Sequence, residues 1–254
     1  MSSGPYEAIS QVVGAAYTYQ PSLAMRRRLT ATIDRSHSSQ TQDFSFFVKG
    51  GRENVVQSGQ SLALRRDAET GELVPHWPEP ELAILLGERH EVRAYTLAND
   101  LTAFSIETRG RDRDFDGTYV GKCWPRSCAL GPEFVPPERI ADDGALEIGM
   151  TIERDGQTIY RYVYSTARRK RPFSEIPRLI VEYRRRFGDA PPPSKRIRVE
   201  PDGHLPPGTV IMLGTGVIVP ARAYSQRGDV VTIFSDGFGE LRNRIEDPGA
   251  EAAA

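Results

Sequence analysis

The chain has 254 residues, and its 33 lysines and arginines nearly balance its 34 aspartates and glutamates, for a formal net charge of −1. A nucleic-acid-binding protein normally carries a clear positive excess, so we expect no nucleic-acid partner. The sequence has no apolar run of about 18 residues, so we expect no membrane span. Its 2 cysteines are too few for a disulfide framework, and with no evident signal peptide the expected compartment is the cytoplasm.

The first part of the chain carries weak structural signals. Residues 6–29 are compatible with one or two short helices, and the Ser/Thr/Gln-rich residues 36–43 with a loop. Residues 44–48 and 59–66 predict two strands, because each is rich in apolar residues and ends at a turn signal. We expect residues 1–73 to form a small N-terminal domain.

The middle of the chain predicts two buried strands and a loop. Residues 82–86 form an uninterrupted apolar run that follows a proline-rich approach, and residues 92–98 form a second apolar segment that ends at Asn99-Asp100. Residues 108–120 are rich in Arg, Asp and Gly and predict a flexible polar loop.

The last part predicts a hairpin, a helix and further strands. Residues 144–161 alternate in polarity around the turn signal Asp155-Gly156. Residues 174–187 predict a helix that Ser174 caps, with one apolar stripe. Three strands follow, over residues 209–213, 229–234 and 240–245. The fold class is therefore α+β and mostly β, with a catalytic domain over residues 74–247 and a disordered tail over 248–254.

Two glutamates give the first chemical signal. In an extended segment, residues i and i+2 project to the same face, so Glu79 and Glu81 would lie side by side at the head of a strand. Such close like charges repel unless a cation or a proton lies between them. Asp100 would approach the same point if residues 92–98 pair beside residues 82–86. On these residues alone, a solvated strand edge without metal is the favoured interpretation.

Four sequence segments make the prediction of function more specific. They are Pro-Glu-Pro-Glu-Leu-Ala at 78–83, Asn-Asp at 99–100, Gly-Lys at 121–122 leading to Cys-Ala-Leu-Gly-Pro at 128–132, and Leu-Gly-Thr-Gly at 213–216. In order and spacing they resemble the signature of the fumarylacetoacetate hydrolase superfamily. Within it, the chain is most similar to the 2-keto-3-deoxy sugar-acid dehydratases of the 2-dehydro-3-deoxy-D-arabinonate type.

The resemblance implies a mixed β-roll, a homodimer and a magnesium ion, with manganese or calcium as alternatives. It implies Glu79, Glu81 and Asp100 as metal ligands, and Lys122 and Glu107 as catalytic residues. It places five further residues at a substrate-binding position, namely Phe47, Lys49, Gly214, Thr215 and Gly216.

The chain departs from the superfamily pattern beside this site. Phe104 and Ser105 occupy positions where the superfamily usually has Arg and Asp, and the charged residues 108–117 replace a shorter segment. The Glu–His pair of the superfamily's hydrolases has no clear counterpart, because His37 is the only N-terminal histidine and lacks a Glu partner. The basic runs at 168–171 and 184–186 are interpreted as a solvated helix flank.

These observations favour a metal-dependent lyase that dehydrates a small 2-oxo acid, such as a 2-keto-3-deoxy sugar acid, through a metal-stabilised enolate. One alternative is a C–C hydrolase or decarboxylase acting on an acylpyruvate-like 2-oxo acid, since a metal ion that stabilises an enolate can serve all of these reactions. Another is a non-catalytic 2-oxo acid-binding protein.

Overall fold

Strands dominate the computed structural model, which describes residues 4–19, 44–109 and 116–251. The strands are β1 (Gln11–Ala16), β2 (Ser45–Gly50), β3 (Val55–Gln57), β4 (Ser61–Ala63), β5 (His76–Trp77), β6 (Pro80–Leu86), β7 (Val92–Asp100), β8 (Thr102–Ala103), β9 (Cys128–Val135), β10 (Glu147–Arg154), β11 (Gln157–Ser165), β12 (Thr209–Met212), β13 (Val230–Ser235) and β14 (Gly239–Glu246). They form a seven-stranded sheet in the order β2-β1-β12-β6-β7-β9-β3, a five-stranded sheet in the order β11-β10-β13-β14-β4, and the pair β5-β8. Parallel and antiparallel pairs occur in both larger sheets, so the predicted mostly β, mixed fold is confirmed.

Strand β6 is central, and all seven of its residues are buried. Leu82, Ile84 and Leu86 face the main core, while Ala83 and Leu85 face a second apolar cluster on the other side of the sheet. A strand that is covered on both faces needs apolar residues at every position. This is why the sequence shows an uninterrupted apolar run here.

The pairing register brings three strand ends together. Strands β6 and β7 are antiparallel with Glu81 opposite Ala98, so β6 begins where β7 ends. Strand β12 is antiparallel to β6 with Met212 opposite Ala83, so its last residues also approach the start of β6. Polar side chains at these three ends therefore meet at one edge of the sheet.

The first 73 residues contribute to both larger sheets. Strands β1, β2 and β3 lie in the seven-stranded sheet, and β4 is parallel to β14 in the five-stranded sheet. Strand pairing thus crosses position 73, and a domain division there stays a prediction. The helices predicted within residues 6–29 are wrong for Gln11–Ala16, which is a strand buried between β2 and β12, while residues 20–43 lie outside the described part.

Four α-helices are present in the described ranges: α1 (Phe104–Arg109), α2 (Gly117–Lys122), α3 (Ile176–Arg185) and α4 (Pro248–Glu251). Helices α1 and α2 occupy parts of the predicted polar loop. Helix α3 confirms the predicted amphipathic helix, although Ser174 belongs to a preceding 3-10 turn and does not cap it. Helix α4 stands where a disordered tail was expected, and the Asp247 carboxylate accepts the Gly249 N–H at 3.1 Å at its start. Among these helices, none has the length and apolar character of a membrane span.

His76 is a fully buried histidine in β5. Its Nε2 accepts the Arg65 N–H at 2.8 Å, and its Nδ1 lies 2.6 Å from the Val74 carbonyl oxygen. These contacts suit the neutral ring with its proton on Nδ1. Burial lowers the pKa of His76 from 6.5 to about 4.

We predict that His76 makes folding stability depend on pH. The unfolded state binds the proton more tightly than the folded state, so this contribution is complete above pH 6.5 and is lost as pH falls toward 4. Between pH 7.5 and pH 5 the wild-type free energy of unfolding should lose about 2 kcal/mol through this group. Urea unfolding at both pH values measures this loss in the wild type and in His76→Gln. The loss should be smaller in His76→Gln, because the other titrating groups are the same in both proteins. Equal losses in the two proteins would contradict the prediction.

Candidate metal centre and active site

Three carboxylates meet at the edge formed by the ends of β6 and β7. Glu79 precedes β6, Glu81 lies in it, and Asp100 ends β7. One oxygen from each lies within 4.8 Å of the other two. The structure therefore brings together the three predicted metal ligands, and metal ligation itself stays a prediction.

Burial makes this cluster of negative charge costly. It raises the pKa of Glu79 to about 7, with repulsion from Asp100 adding to the effect. It raises the pKa of Glu81 well above its usual range, again with help from Asp100 and Glu79. Burial also disfavours the Asp100 carboxylate, but attraction to Lys122 and Lys49 outweighs that effect and lowers its pKa.

Lys122 lies at the end of α2 and points its ammonium into the cluster. The Nζ atom is 2.5 Å from Glu79 Oε2 and 2.9 Å from Asp100 Oδ2, and it donates to Thr102 Oγ1 at 2.5 Å. Burial alone would lower the pKa of Lys122, but the neighbouring carboxylates raise it well above its usual value. The lysine therefore carries its charge at neutral pH.

Glu107 is placed by a close crossing of α1 and α2. A Cβ atom at Gly121 would lie 2.7 Å from the Glu107 backbone nitrogen, so only glycine permits this approach. The negative charge of Glu107 raises the pKa of both Glu79 and Lys122. Glu107 thus acts electrostatically on the predicted site, while the catalytic role that the resemblance implies for it stays a prediction.

Lys49 and Phe47 in β2 contact the charged residues from behind. Lys49 Nζ is 2.5 Å from Asp100 Oδ1 and 5.0 Å from the Trp124 ring centre, and its side chain is fully buried. The Phe47 ring centre is 5.3 Å from Lys122 Nζ. A Cβ at Gly14 would lie 2.1 Å from the Phe47 ring, so this glycine makes room for it. Substrate contact by Lys49 and Phe47 stays a prediction; what they touch here is Asp100 and Lys122.

The Gly214–Gly216 turn follows β12 and closes the site on a third side. The Gly214 N–H donates to Glu81 Oε2 at 2.7 Å. Gly214 has a φ of +83°, and a Cβ there would lie 2.6 Å from the Ala15 carbonyl oxygen. Thr215 Oγ1 accepts the Val217 N–H at 3.1 Å. The predicted carboxylate-binding turn is therefore fixed directly beside a predicted metal ligand.

Two polar residues of this site were missed in the sequence. Thr102 donates to Glu79 Oε2 at 3.1 Å, and its position two residues after Asp100 in an extended segment was an available signal. Tyr164 donates its hydroxyl to the Pro80 carbonyl at 2.8 Å, and no local pattern marks it. At the position of the departure from the superfamily pattern, Phe104 stacks on Trp77 with ring centres 3.9 Å apart. His37 lies outside the described residues.

The donor set suits a hard divalent cation. Three carboxylates offer the oxygen ligands that magnesium, manganese and calcium prefer. Two lysines balance two of the three carboxylates when all are ionised, and one negative charge remains uncompensated among these five groups. A cation bound by this trio of carboxylates, Glu79, Glu81 and Asp100, would offset the burial and the repulsion that raise the pKa values of Glu79 and Glu81.

Comparisons with known proteins identify the family of this chain. A family model described as "Fumarylacetoacetate (FAA) hydrolase C-terminal" matches residues 13–246. The chain is 31% identical over 241 residues to a protein named "Probable 2-keto-3-deoxyxylonate dehydratase" from Haloferax volcanii, covering 92% of this chain and 72% of the relative.

Two solved structures share the fold. One is 2-keto-3-deoxy-D-arabinonate dehydratase complexed with magnesium and 2,5-dioxopentanoate, with a TM-score of 0.69 and 22% identity, covering 94% of this chain and 74% of that one. The other is fumarylpyruvate hydrolase from Pseudomonas aeruginosa in complex with Mn²⁺ and pyruvate, with a TM-score of 0.61 and 21% identity, covering 94% and 90%. The family match spans the trio, Lys122 and the Gly214–Gly216 turn, and this chain belongs to the fumarylacetoacetate hydrolase family.

Proposed function

We propose that this chain is a metal-dependent lyase that dehydrates a small 2-oxo acid, such as a 2-keto-3-deoxy sugar acid. The observation that carries the proposal is the cluster of three carboxylates within 4.8 Å, with the Lys122 ammonium on two of them. The H. volcanii relative is named as a dehydratase of a related acid, which favours elimination over other reactions. Glu79, Glu81 and Asp100 would hold the cation, for which we propose Mg²⁺.

The residues around the trio supply the remaining chemistry. When bound, a divalent cation supplies Lewis-acid polarisation of the 2-oxo group, which makes the C3 proton more acidic. Lys122 holds a fixed positive charge beside the position where negative charge develops. The Gly214–Gly216 turn binds and orients the substrate carboxylate. Glu107 accepts the C3 proton and returns it to the departing C4 hydroxyl, so that water leaves.

A substrate panel tests the reaction directly. With Mg²⁺ and a set of 2-oxo acids that includes 2-keto-3-deoxy sugar acids, we expect a product lighter by one water, measured by mass spectrometry. Fragmentation with gain of water would identify a C–C hydrolase, and loss of carbon dioxide a decarboxylase. Binding without turnover of any acid would identify a binding protein, and each of these three outcomes would contradict the proposal.

The trio predicts the metal affinity of variants. Glu81→Gln keeps the side-chain volume but removes one charged ligand, so Mn²⁺ affinity should fall by more than about tenfold, the scale set by losing even an outer partner of a metal site. Isothermal titration of chelator-treated protein measures this. The matched control is Glu246→Gln, because Glu246 forms a 3.0 Å ion pair with Arg126 outside the cluster. Equal Mn²⁺ affinity in both variants would remove Glu81 from the metal site.

The position of Lys122 predicts a rate effect. Lys122→Ala removes the positive charge beside the reacting atoms, and turnover should fall on the order of a hundredfold. Initial rates at saturating substrate and metal measure the effect. Lys195→Ala is the control, since Lys195 is a partly buried lysine that donates to the Phe46 carbonyl at 2.9 Å away from the carboxylates. Unchanged turnover in Lys122→Ala would exclude its catalytic role.

A further inference from the structure

Tyr164 is a buried tyrosine near the end of β11, in the other large sheet from the carboxylate strands. Its hydroxyl donates to the Pro80 carbonyl at 2.8 Å. Pro80 lies between Glu79 and Glu81, so Tyr164 is bonded to the backbone that carries both glutamates. Its ring packs edge-on against Tyr19 with centres 5.3 Å apart.

The same hydroxyl faces the Gly214–Gly216 turn. The Gly216 N–H and the Thr215 side chain lie close enough to the hydroxyl to favour its ionised form, although burial dominates and keeps the pKa of Tyr164 well above its usual value. A Cβ at Gly216 would lie 2.5 Å from the Tyr164 ring, so the glycine lets the turn lie directly on the tyrosine. One tyrosine side chain therefore contacts the backbone between the two glutamates through its hydroxyl and the turn through its ring.

We infer that Tyr164 is a positioning residue that fixes the Gly214–Gly216 turn against the head of β6 and so sets the affinity for the 2-oxo acid. This inference rests on the proposed function, since it assigns the turn to the substrate carboxylate. We expect the effect on the acid rather than the metal, because the 2.7 Å bond from the Gly214 N–H to Glu81 does not involve the tyrosine hydroxyl.

Tyr164→Phe tests the inference by removing one oxygen atom while keeping the ring. Isothermal titration measures Mn²⁺ binding to the full chain, and then pyruvate binding at saturating Mn²⁺. We expect pyruvate to bind about tenfold more weakly, the scale of one lost hydrogen bond, while Mn²⁺ affinity changes less than about twofold. With a substrate that the enzyme converts, the fold increase in KM should exceed the fold decrease in kcat.

Tyr95→Phe is the matched control. Tyr95 is a buried tyrosine whose hydroxyl donates to Asp143 Oδ2 at 3.0 Å, and it lies in β7 five residues before Asp100, about 17 Å along the strand. The Tyr95→Phe variant loses a comparable hydrogen bond but should change neither the Mn²⁺ affinity nor the pyruvate affinity. If Tyr164→Phe does not fold, Gly216→Ala disturbs the same contact from the turn and should show the same split between acid and metal.

The outcomes separate the inference from the proposed function. Unchanged pyruvate affinity in a folded Tyr164→Phe protein would overturn the inference alone, as would a parallel loss of Mn²⁺ and pyruvate affinity. Wild-type protein that binds Mn²⁺ but no 2-oxo acid would overturn the proposed function, and the inference with it.

Discussion

The site depends on the way in which Asp100 is shared between two buried lysines. Lys49 binds one carboxylate oxygen and Lys122 binds the other, so Asp100 remains ionised although it is almost fully buried. Removing one partner of such a buried pair leaves an uncompensated charge, which is strongly destabilising. Glu79 and Glu81 have weaker compensation and elevated pKa values. The same residues therefore stabilise the structure and leave a negative charge that a bound cation would offset.

The sheet architecture explains how residues far apart in the sequence reach this point. The antiparallel register of β6 with β7 and with β12 places the start of β6 beside the ends of β7 and β12. Helix α2 adds Lys122 from the side, because Asp116 accepts the Tyr119 N–H at 3.0 Å and fixes the start of the helix. Each contributing element is held by backbone pairing or a cap close to the functional side chain.

The sequence was sufficient to predict the fold class and the meeting of the three carboxylates, and less of the strand and helix positions. The spacing of Glu79 and Glu81 needs only an extended backbone, and the apolar run of β6 reports burial on both faces, so both were readable locally. Strand β1 was missed because the small residues in Gln11–Ala16 do not indicate a strand on their own. They fit a buried strand because the Phe47 ring lies over Gly14. Tyr164 was missed for a similar reason, since its role appears only when β11, Pro80 and the turn are in contact. Helices α1 and α2 lie in a polar, charged segment, where tertiary packing at Gly121 overrides weak local propensity.

The pairing of β1 with β12 has a consequence for how the chain acquires its structure. These strands are parallel and join Gln11 to Thr209, and β4 likewise joins Ser61 to Arg244. Contacts between such distant positions give the fold a high contact order, and loop closure must be completed before they contribute stability. During synthesis, neither large sheet can be completed until the ribosome has released residues near 209 and 246. Until then the apolar edge of β6 that receives β12 stays open, so the nascent chain needs protection from association at that edge.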